Sequence, residues 1–494
     1  MSDAEPLLRL DATVRRLRGS DATPMILGGS PLRLLRLRPP ADAVVDALAA
    51  GSTLTQVLGA VPPDRRRAAS RLVDTLLQRG LAHPVGAGDG TRSLTDVTIV
   101  IPVHDRASSL RRLLVSLTPL HERGITLIVV DDGSSDGSGD VARAAAGAPK
   151  VVRHEQAVGP AAARNAGAAL VTTPLVAFLD SDVVPRDGWL DSCLAHLDAL
   201  GASRVDLVAP RIIGLAYPGG SAIERYEHVR SPLDLGAEPS LIAPLTKVAY
   251  VPAAALVMRT DAFRSVAGFD AALHVGEDVD LLWRLHAAGT AMRYEPVAEV
   301  AHEHRNGLVA LLRRRMQYGT SAGELDRRHP GLVPPAVLSP WSLVVWGLAI
   351  LHPIGSVVGA GVAFATAERL TQRLPQLSRR DAQSLALRGH LAAGAQLADL
   401  ATRTWFPATA AGALFSRRCR LLLAAGIVGQ GWREHRRRCP ALPLPTFLAL
   451  RAGDDAAYGV GVWIGSLRTR SIGALLPKIV NWPGRSKTGE DAMS

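Results

Sequence analysis

At 494 residues the chain is too long for one ordinary hydrophobic core and implies about two to four units. Its 47% hydrophobic residues exclude a disordered polymer, and 56 Lys and Arg against 45 Asp and Glu leave a net charge of +11 that favours anionic partners: nucleotide diphosphates, nucleic acid or an anionic membrane face. Aromatic residues at 4% supply few platforms for stacked bases, which argues against nucleic acid. Cys193, Cys419 and Cys439 lack C-x-x-C spacing, which argues against a disulfide framework or a zinc site and for reduced thiols in a cytoplasmic protein.

Residues 1 to 23 are charged and have no apolar run of the kind a secretory signal needs. From Met25 the segment MILGGSPLRLLRLRPP places a Gly-Gly turn before alternating apolar and basic residues, the pattern of a hairpin with one buried face. Ala41–Leu48 and Ala68–Leu81 have helical apolar spacing. Residues 1–90 therefore read as a small winged-helix-like α+β unit for interaction or recognition. The Pro-, Gly-, Ser- and Thr-rich residues 84–95 read as a linker.

A catalytic domain is expected over residues 96–330. Apolar runs at Val97–Val103, Ile125–Val130, Val151–Val152 and Leu175–Leu179 alternate with helical stretches, which predicts an α/β, Rossmann-like, mainly parallel sheet with helices on both faces. Ligands of such sheets bind beyond the carboxyl ends of the strands, where the polar clusters of this chain fall. After the first strand come Pro102, His104 and Asp105; after the second, Asp131 and Asp132. An aspartate there can accept an imide N–H of a base or bond a ribose, and Asp132 is assigned to the base with Asp105 as its helper, against the alternative of an Asx-turn that only reverses the chain. Arg164, on the Ala-rich helix after the third strand, has the forked donor geometry that suits a diphosphate or a ribose.

The fourth strand runs into LVAFLDSDVVP, and the period of extended chain would put the carboxylates of Asp180 and Asp182 on the same side. Mg²⁺ or Mn²⁺ takes one or two such carboxylates and completes its shell with water and phosphate oxygens. Glu277 and Asp278 stand where the helical spacing Val279, Leu282, Leu285 begins, so the positive end of that helix would hold Asp278 ionised and ready to accept a proton. His302 and His304 alternate on a further strand, and either imidazole can complete a cation site, His302 by preference.

Residues 335–494 form a basic, apolar and mainly helical region. Pro335–Thr366 is long enough to cross a bilayer but is interrupted by His352 and Pro353, so two buried or interfacial helices fit equally; Phe406–Trp432 is cut by Arg417, Arg418 and Arg420. The expectation is a protein at the cytoplasmic face of the membrane, peripheral or with one or two spans.

IPVHDR, VVDDGSSD, GPAAARNAG, FLDSDVVP and GEDVDLLWR, in this order between residues 96 and 305, resemble the inverting family-two glycosyltransferases with the GT-A fold. The resemblance implies a UDP-sugar donor held by Asp105 and Asp132, a cation held by Asp182, and Asp278 as the general base toward an acceptor hydroxyl, with inversion at the sugar. The first unit resembles the PqqD-like domains that bind leader peptides. The whole chain is similar to the mycofactocin-system glycosyltransferases, which implies glucose transfer to a small acceptor derived from a ribosomal peptide. A membrane-associated transferase acting on envelope lipid or oligosaccharide acceptors and a non-catalytic peptide-binding scaffold are the alternatives. A sugar-1-phosphate nucleotidyltransferase is disfavoured because IPVHDR lacks the glycines of a phosphate loop.

Overall fold

A computed structural model describes residues 5–18, 23–37, 41–85, 93–197, 204–215, 219–304 and 307–480. Most of the predicted linker, residues 86–92, lies outside them. The main division into two compact units falls between Asn306 and Gly307.

The first unit opens with a small α+β assembly. β1 (Leu7–Leu10) pairs antiparallel with β5 (Ala82–Val85), and β2 (Arg15–Arg18), β3 (Pro24–Gly28) and β4 (Arg33–Arg36) form a three-stranded sheet. The β3–β4 hairpin turns through Gly29 at φ +81°, a left-handed conformation natural to glycine. α1 (Ala41–Ala50), α2 (Leu54–Gly59) and α3 (Arg66–Gln78) cover the sheets. Val44, Val45, Leu48, Val73, Leu76 and Leu77 recur at helical spacing and bury one face of α1 and of α3 against Ile26, Val57 and Leu81.

The larger part of this unit alternates strand and helix: β6 (Val97–Val103), α4 (Ala107–Ser116), α5 (Thr118–Glu122), β7 (Thr126–Asp132), α6 (Ser138–Arg143), β8 (Lys150–His154), α7 (Pro160–Ala168), β9 (Leu175–Leu179), β10 (Val183–Pro185), α8 (Trp189–Leu197), β11 (Leu207–Gly214), α9 (Ala222–Arg230), β12 (Ser240–Leu241), β13 (Ala255–Arg259), α10 (Thr260–Ser265), α11 (Glu277–Ala287) and β14 (Met292–His302). The strand order is β10-β14-β11-β13-β9-β6-β7-β8, with β12 also on β14. Successive side chains go to opposite faces. Ile99, Ile101, Leu127, Val129, Ala177 and Leu179 pack under α4 and α8, whereas Val100, Ile128, Val130, Val176 and Phe178 pack under α7 and α11.

The sheet is mixed, which corrects the expectation of a mainly parallel one. β9, β6, β7 and β8 are parallel, but β13 runs antiparallel to both of its neighbours and β10 antiparallel to β14. For β10 the reason lies in its connection. Parallel neighbours need a crossover of about a dozen residues or more, whereas only residues 180–182 separate β9 from β10, which departs to the far edge. The small N-terminal assembly is anchored to this sheet through β14: Arg293 approaches His83 Nδ1 at 3.2 Å and donates to Leu77 O at 3.0 Å.

The second unit contains α12 (Leu308–Arg328), β15 (Val337–Leu338), α13 (Pro340–Leu351), α14 (Pro353–Arg373), α15 (Arg379–Thr402), α16 (Phe406–Phe415), α17 (Arg417–Arg438), α18 (Leu444–Thr469) and β16 (Lys478–Ile479), the last paired with β15. α12 and α18 meet backbone to backbone at Gly319, Gly323, Gly461 and Gly465. Arg315, from the basic RRRMQYG segment, is buried and bonds Asp454 at 2.7 Å. Among the described residues no helix is long and apolar enough to cross a membrane, against the spanning alternative of the expectation. The chain breaks at His352, which leaves α13 with 12 residues, about 18 Å against the ~30 Å of a hydrocarbon core. It breaks again at Ser416, between α16 and α17.

A methyl group at Gly461 would fall well inside contact distance of Met316 O. Alanine's helix propensity favours Gly461→Ala by about 1 kcal/mol, but overpacking of about 1–3 kcal/mol opposes it at a contact with backbone that has no rotamer to move. The substitution is expected to lower the denaturant midpoint of the full chain; an unchanged or higher midpoint would show that the crossing relaxes freely.

Candidate active site

The first polar cluster is built at the ends of β6, β7 and β8. Asp105, just past β6, sits at φ +49° and accepts from Ser135 N at 2.7 Å. Its own N–H donates to Ser134 Oγ at 3.1 Å, and the bond from Ser135 N, with the neighbouring His104, holds its carboxyl below the usual range. His104 is exposed and its Nδ1 lies 2.8 Å from Asp132 O, which clasps the two strand ends together. Pro102, assigned with them from the sequence, is buried inside β6 opposite Val130 and offers no side-chain polar group.

Asp132 closes β7 and is almost fully buried. Burial alone would raise its pKa, but Val158 N at 3.0 Å, His154 Nδ1 at 2.7 Å and Gly159 N at 2.8 Å outweigh it and hold the carboxyl low. Three of roughly four lone-pair positions are thereby taken. The adjacent Asp131 is a brace: it pairs with Arg153 and accepts from Ser134 N at 2.9 Å.

The second cluster joins elements far apart in sequence. α7 carries Arg164, 3% exposed, whose Nη2 donates to Asp180 at 2.6 Å and whose Nη1 donates to Glu277 at 3.1 Å. Its guanidinium also lies 5.3 Å from the centre of the Phe269 ring. Burial lowers the pKa of Arg164, but Asp180 and Glu277 more than restore it, so the cation persists inside the domain. Arg164, expected from the sequence to reach toward a diphosphate or a ribose, ties the D-x-D segment to the start of α11.

Asp278 follows Glu277 and accepts from Val279 N at 2.8 Å. The helix N-terminus, expected to hold this carboxylate ionised, is opposed by its surroundings. Desolvation, then the charge of Glu277, push its pKa up to about 7, against the lowering effects of Val279 N and Arg164. The carboxyl is thus poised to gain or lose a proton near neutrality.

The third cluster lies where β10 meets β14. Asp182 is half-buried, and its Oδ1 stands 3.5 Å from His302 Nε2. Ligands about 2.1 Å from one cation lie about 3.0–3.5 Å apart at octahedral to tetrahedral angles, so this pair can share an ion whose other positions go to water or phosphate. Asp180 and Asp182, expected on the same side of the strand end with Asp182 the preferred metal ligand and Asp180 toward a ribose or a metal-bound water, have different partners here, because the chain turns into β10 directly after them. Among the described residues no group of three or more His, Cys, Asp or Glu could hold a metal ion. His304 packs against Gly214 and His228, and its pKa falls to about 4 through burial and the neighbouring histidines.

Sequence reasoning missed His154 and Arg153, which hold the two acids of β7, and Asp136, which accepts from Ala107 N at 2.9 Å and Ser138 N at 3.0 Å and so caps two helices. The signal for the first pair is parallel register, which sets Asp131 beside Arg153 and Asp132 beside His154.

Residues 98–258 match the model of Glycosyl transferase family 2. The chain is 42% identical over 486 residues to the Pre-mycofactocin glycosyltransferase of Mycobacterium tuberculosis (strain ATCC 25618 / H37Rv), covering 96% of this chain and 97% of that protein. It is also 32% identical over 240 residues to the succinoglycan biosynthesis protein ExoU of Rhizobium meliloti (strain 1021), covering 44% of this chain and 63% of the relative. Among solved structures, a mannosyltransferase from Pyrobaculum calidifontis in complex with GDP-Man and Mn²⁺ aligns with a TM-score of 0.42 at 18% identity, over 83% of this chain and 98% of that one. The chain belongs to the family 2 glycosyltransferases and catalyses glycosyl transfer.

Because Arg164 lowers the Asp278 pKa, Arg164→Met is expected to raise it further and move the acid limb of kcat/KM to higher pH. The folded carboxyl binds its proton more tightly than the unfolded one. Its contribution to stability is therefore present below the unfolded pKa and lost as pH rises through about 7. A pH–rate profile of the variant that coincides with wild type would remove this coupling.

Proposed function

We propose that this transferase moves a hexose, glucose from a UDP-sugar, onto a hydroxyl of a mycofactocin precursor, a small peptide-derived redox compound, with inversion at the anomeric carbon. The observation that carries the reading is the Arg164 bridge. It fixes Asp180 of the D-x-D segment to Glu277, whose neighbour Asp278 has a proton affinity matched to neutral pH. The acceptor comes from the full-length relative named above as a Pre-mycofactocin glycosyltransferase.

The residues divide the work. Asp132 keeps about one lone-pair position for a base N–H, while His104 and Asp105 frame the same strand ends. Asp182 and His302 would hold Mg²⁺ or Mn²⁺, and the separation of 3.5 Å fits that use. Such a cation, when bound, neutralises a departing diphosphate. Asp278 accepts the proton of the acceptor hydroxyl as its oxygen bonds the anomeric carbon and the bond from that carbon to the diphosphate oxygen breaks, so that nucleoside diphosphate leaves. In this reading Glu277 is a positioning residue, and its bond to Arg164 keeps a second negative charge beside Asp278. The small N-terminal assembly serves as a PqqD-like recognition module for a leader peptide or partner protein, and the chain works as a peripheral protein at the inner, anionic face of the membrane.

Asp278→Asn is expected to lower transfer from UDP-glucose by about 10²- to 10⁴-fold while leaving donor binding intact, measured by acceptor mass spectrometry and by calorimetry. Unchanged turnover would remove Asp278 from this role. His302→Ala is expected to raise the Mn²⁺ concentration needed for half-maximal activity, and a chelator to abolish activity reversibly. Full activity in the chelator would remove the cation from the reading.

A further inference from the structure

The second unit leaves a set of large apolar side chains uncovered where two helical hairpins end. α13 and α14 pack tightly along their inner faces, where methyl groups at Gly355 and Gly359 would meet Leu348 O and Val345 O. Their outer faces remain open at the bend, with Leu351, Ile354 and Val357 exposed. α16 and α17 turn at Ser416, and there Leu414, Phe415 and Leu421 are exposed, Phe415 to 90%. One bond brings the two bends together: Arg418 Nη1 donates to Leu351 O at 2.8 Å. The apolar groups thus form a joint tip instead of scattered surface residues. Exposure on this scale marks an interaction surface.

Charge identifies the partner. Arg417, Arg418 and Arg420 are exposed in the first turn of α17, directly beside Phe415. No Asp or Glu occurs from Pro340 to Ala367 or from Leu400 to Arg433. A second copy meeting this tip would therefore set arginine against arginine with no acid to answer it. An anionic bilayer answers both features, since acyl chains receive the leucines and Phe415 while lipid phosphates receive the guanidiniums at the headgroup level. No described helix is both long and apolar enough to cross, so insertion stays within the interface. We infer that the joined α13–α14 and α16–α17 bends are a membrane-docking tip that enters one leaflet of an anionic bilayer. The inference rests on the reading of a peripheral membrane protein given above, and it names the surface and the lipid chemistry.

The test is flotation of the full chain with vesicles of phosphatidylcholine alone or mixed with an equal part of phosphatidylglycerol, alongside transfer to a soluble acceptor. Wild type is expected to float with the mixed vesicles only and to be released by salt. The double variant Leu414→Ser, Phe415→Ser is expected to lose partitioning by about tenfold or more with transfer unchanged, and Arg417→Gln to lose a smaller part. Phe415→Trp keeps an apolar group in place and guards against misfolding of the serine variant. Its fluorescence is expected to shift to the blue with mixed vesicles and to be quenched by brominated acyl chains. Absence of flotation, equal flotation with neutral vesicles, an indole signal in Phe415→Trp that brominated chains leave unquenched, or a concentration-dependent dimer lost in the serine variant would each overturn the inference. Flotation without transfer in wild type would instead overturn the proposed donor or acceptor and leave the docking tip standing.

Discussion

A buried guanidinium has to be answered by negative charge, and the answer given to Arg164 organises the catalytic domain. Leaving a charge of this kind unpaired inside a protein costs several kcal/mol. α7 and the turn after β9 are therefore bound to the first turn of α11, and none of the three can move far without exposing the cation. The acids of this cluster are held by the same bridge. Asp180 and Glu277 are fixed directly, and Asp278 is fixed by being next in the chain.

The mixed sheet makes this gathering possible. Its parallel half brings β6, β7 and β9 to a common carboxyl edge, as the alternation of strand and helix leads one to expect. Its antiparallel insertions do something else. β13 returns the chain beside β9, and β10 crosses to β14, so that a residue just past β9 comes to face one at the far end of β14. A wholly parallel sheet would leave Asp182 and His302 without that meeting.

Much of the architecture is legible in the sequence because its signals are local. Continuous apolar runs mark the central strands of the parallel half, and the polar residues after each run mark the crevice. Pairings do not show. Arg164 lies 16 residues from Asp180 and 113 from Glu277, and nothing at position 164 states which acids will answer it. His154 closes on Asp132 through parallel register, a property of two strands together. The proton affinity of Asp278 is hidden for a related reason: the helix start is visible in sequence, but the burial and the neighbouring Glu277 that dominate it are properties of the folded site. In the C-terminal region the apolar stretches are visible, and the breaks at His352 and Ser416 decide what they become.

The crossing of α12 and α18 has a thermal consequence. Because four glycines bring backbone against backbone, those four positions are ordered without freezing side-chain rotamers, and close van der Waals contact there adds to the buried Arg315–Asp454 bond and the Ala322–Val462 cluster. Apolar burial weakens on cooling, whereas close van der Waals contact does not. At the glycine positions the contact is therefore expected to weaken less on cooling than the apolar burial beside it.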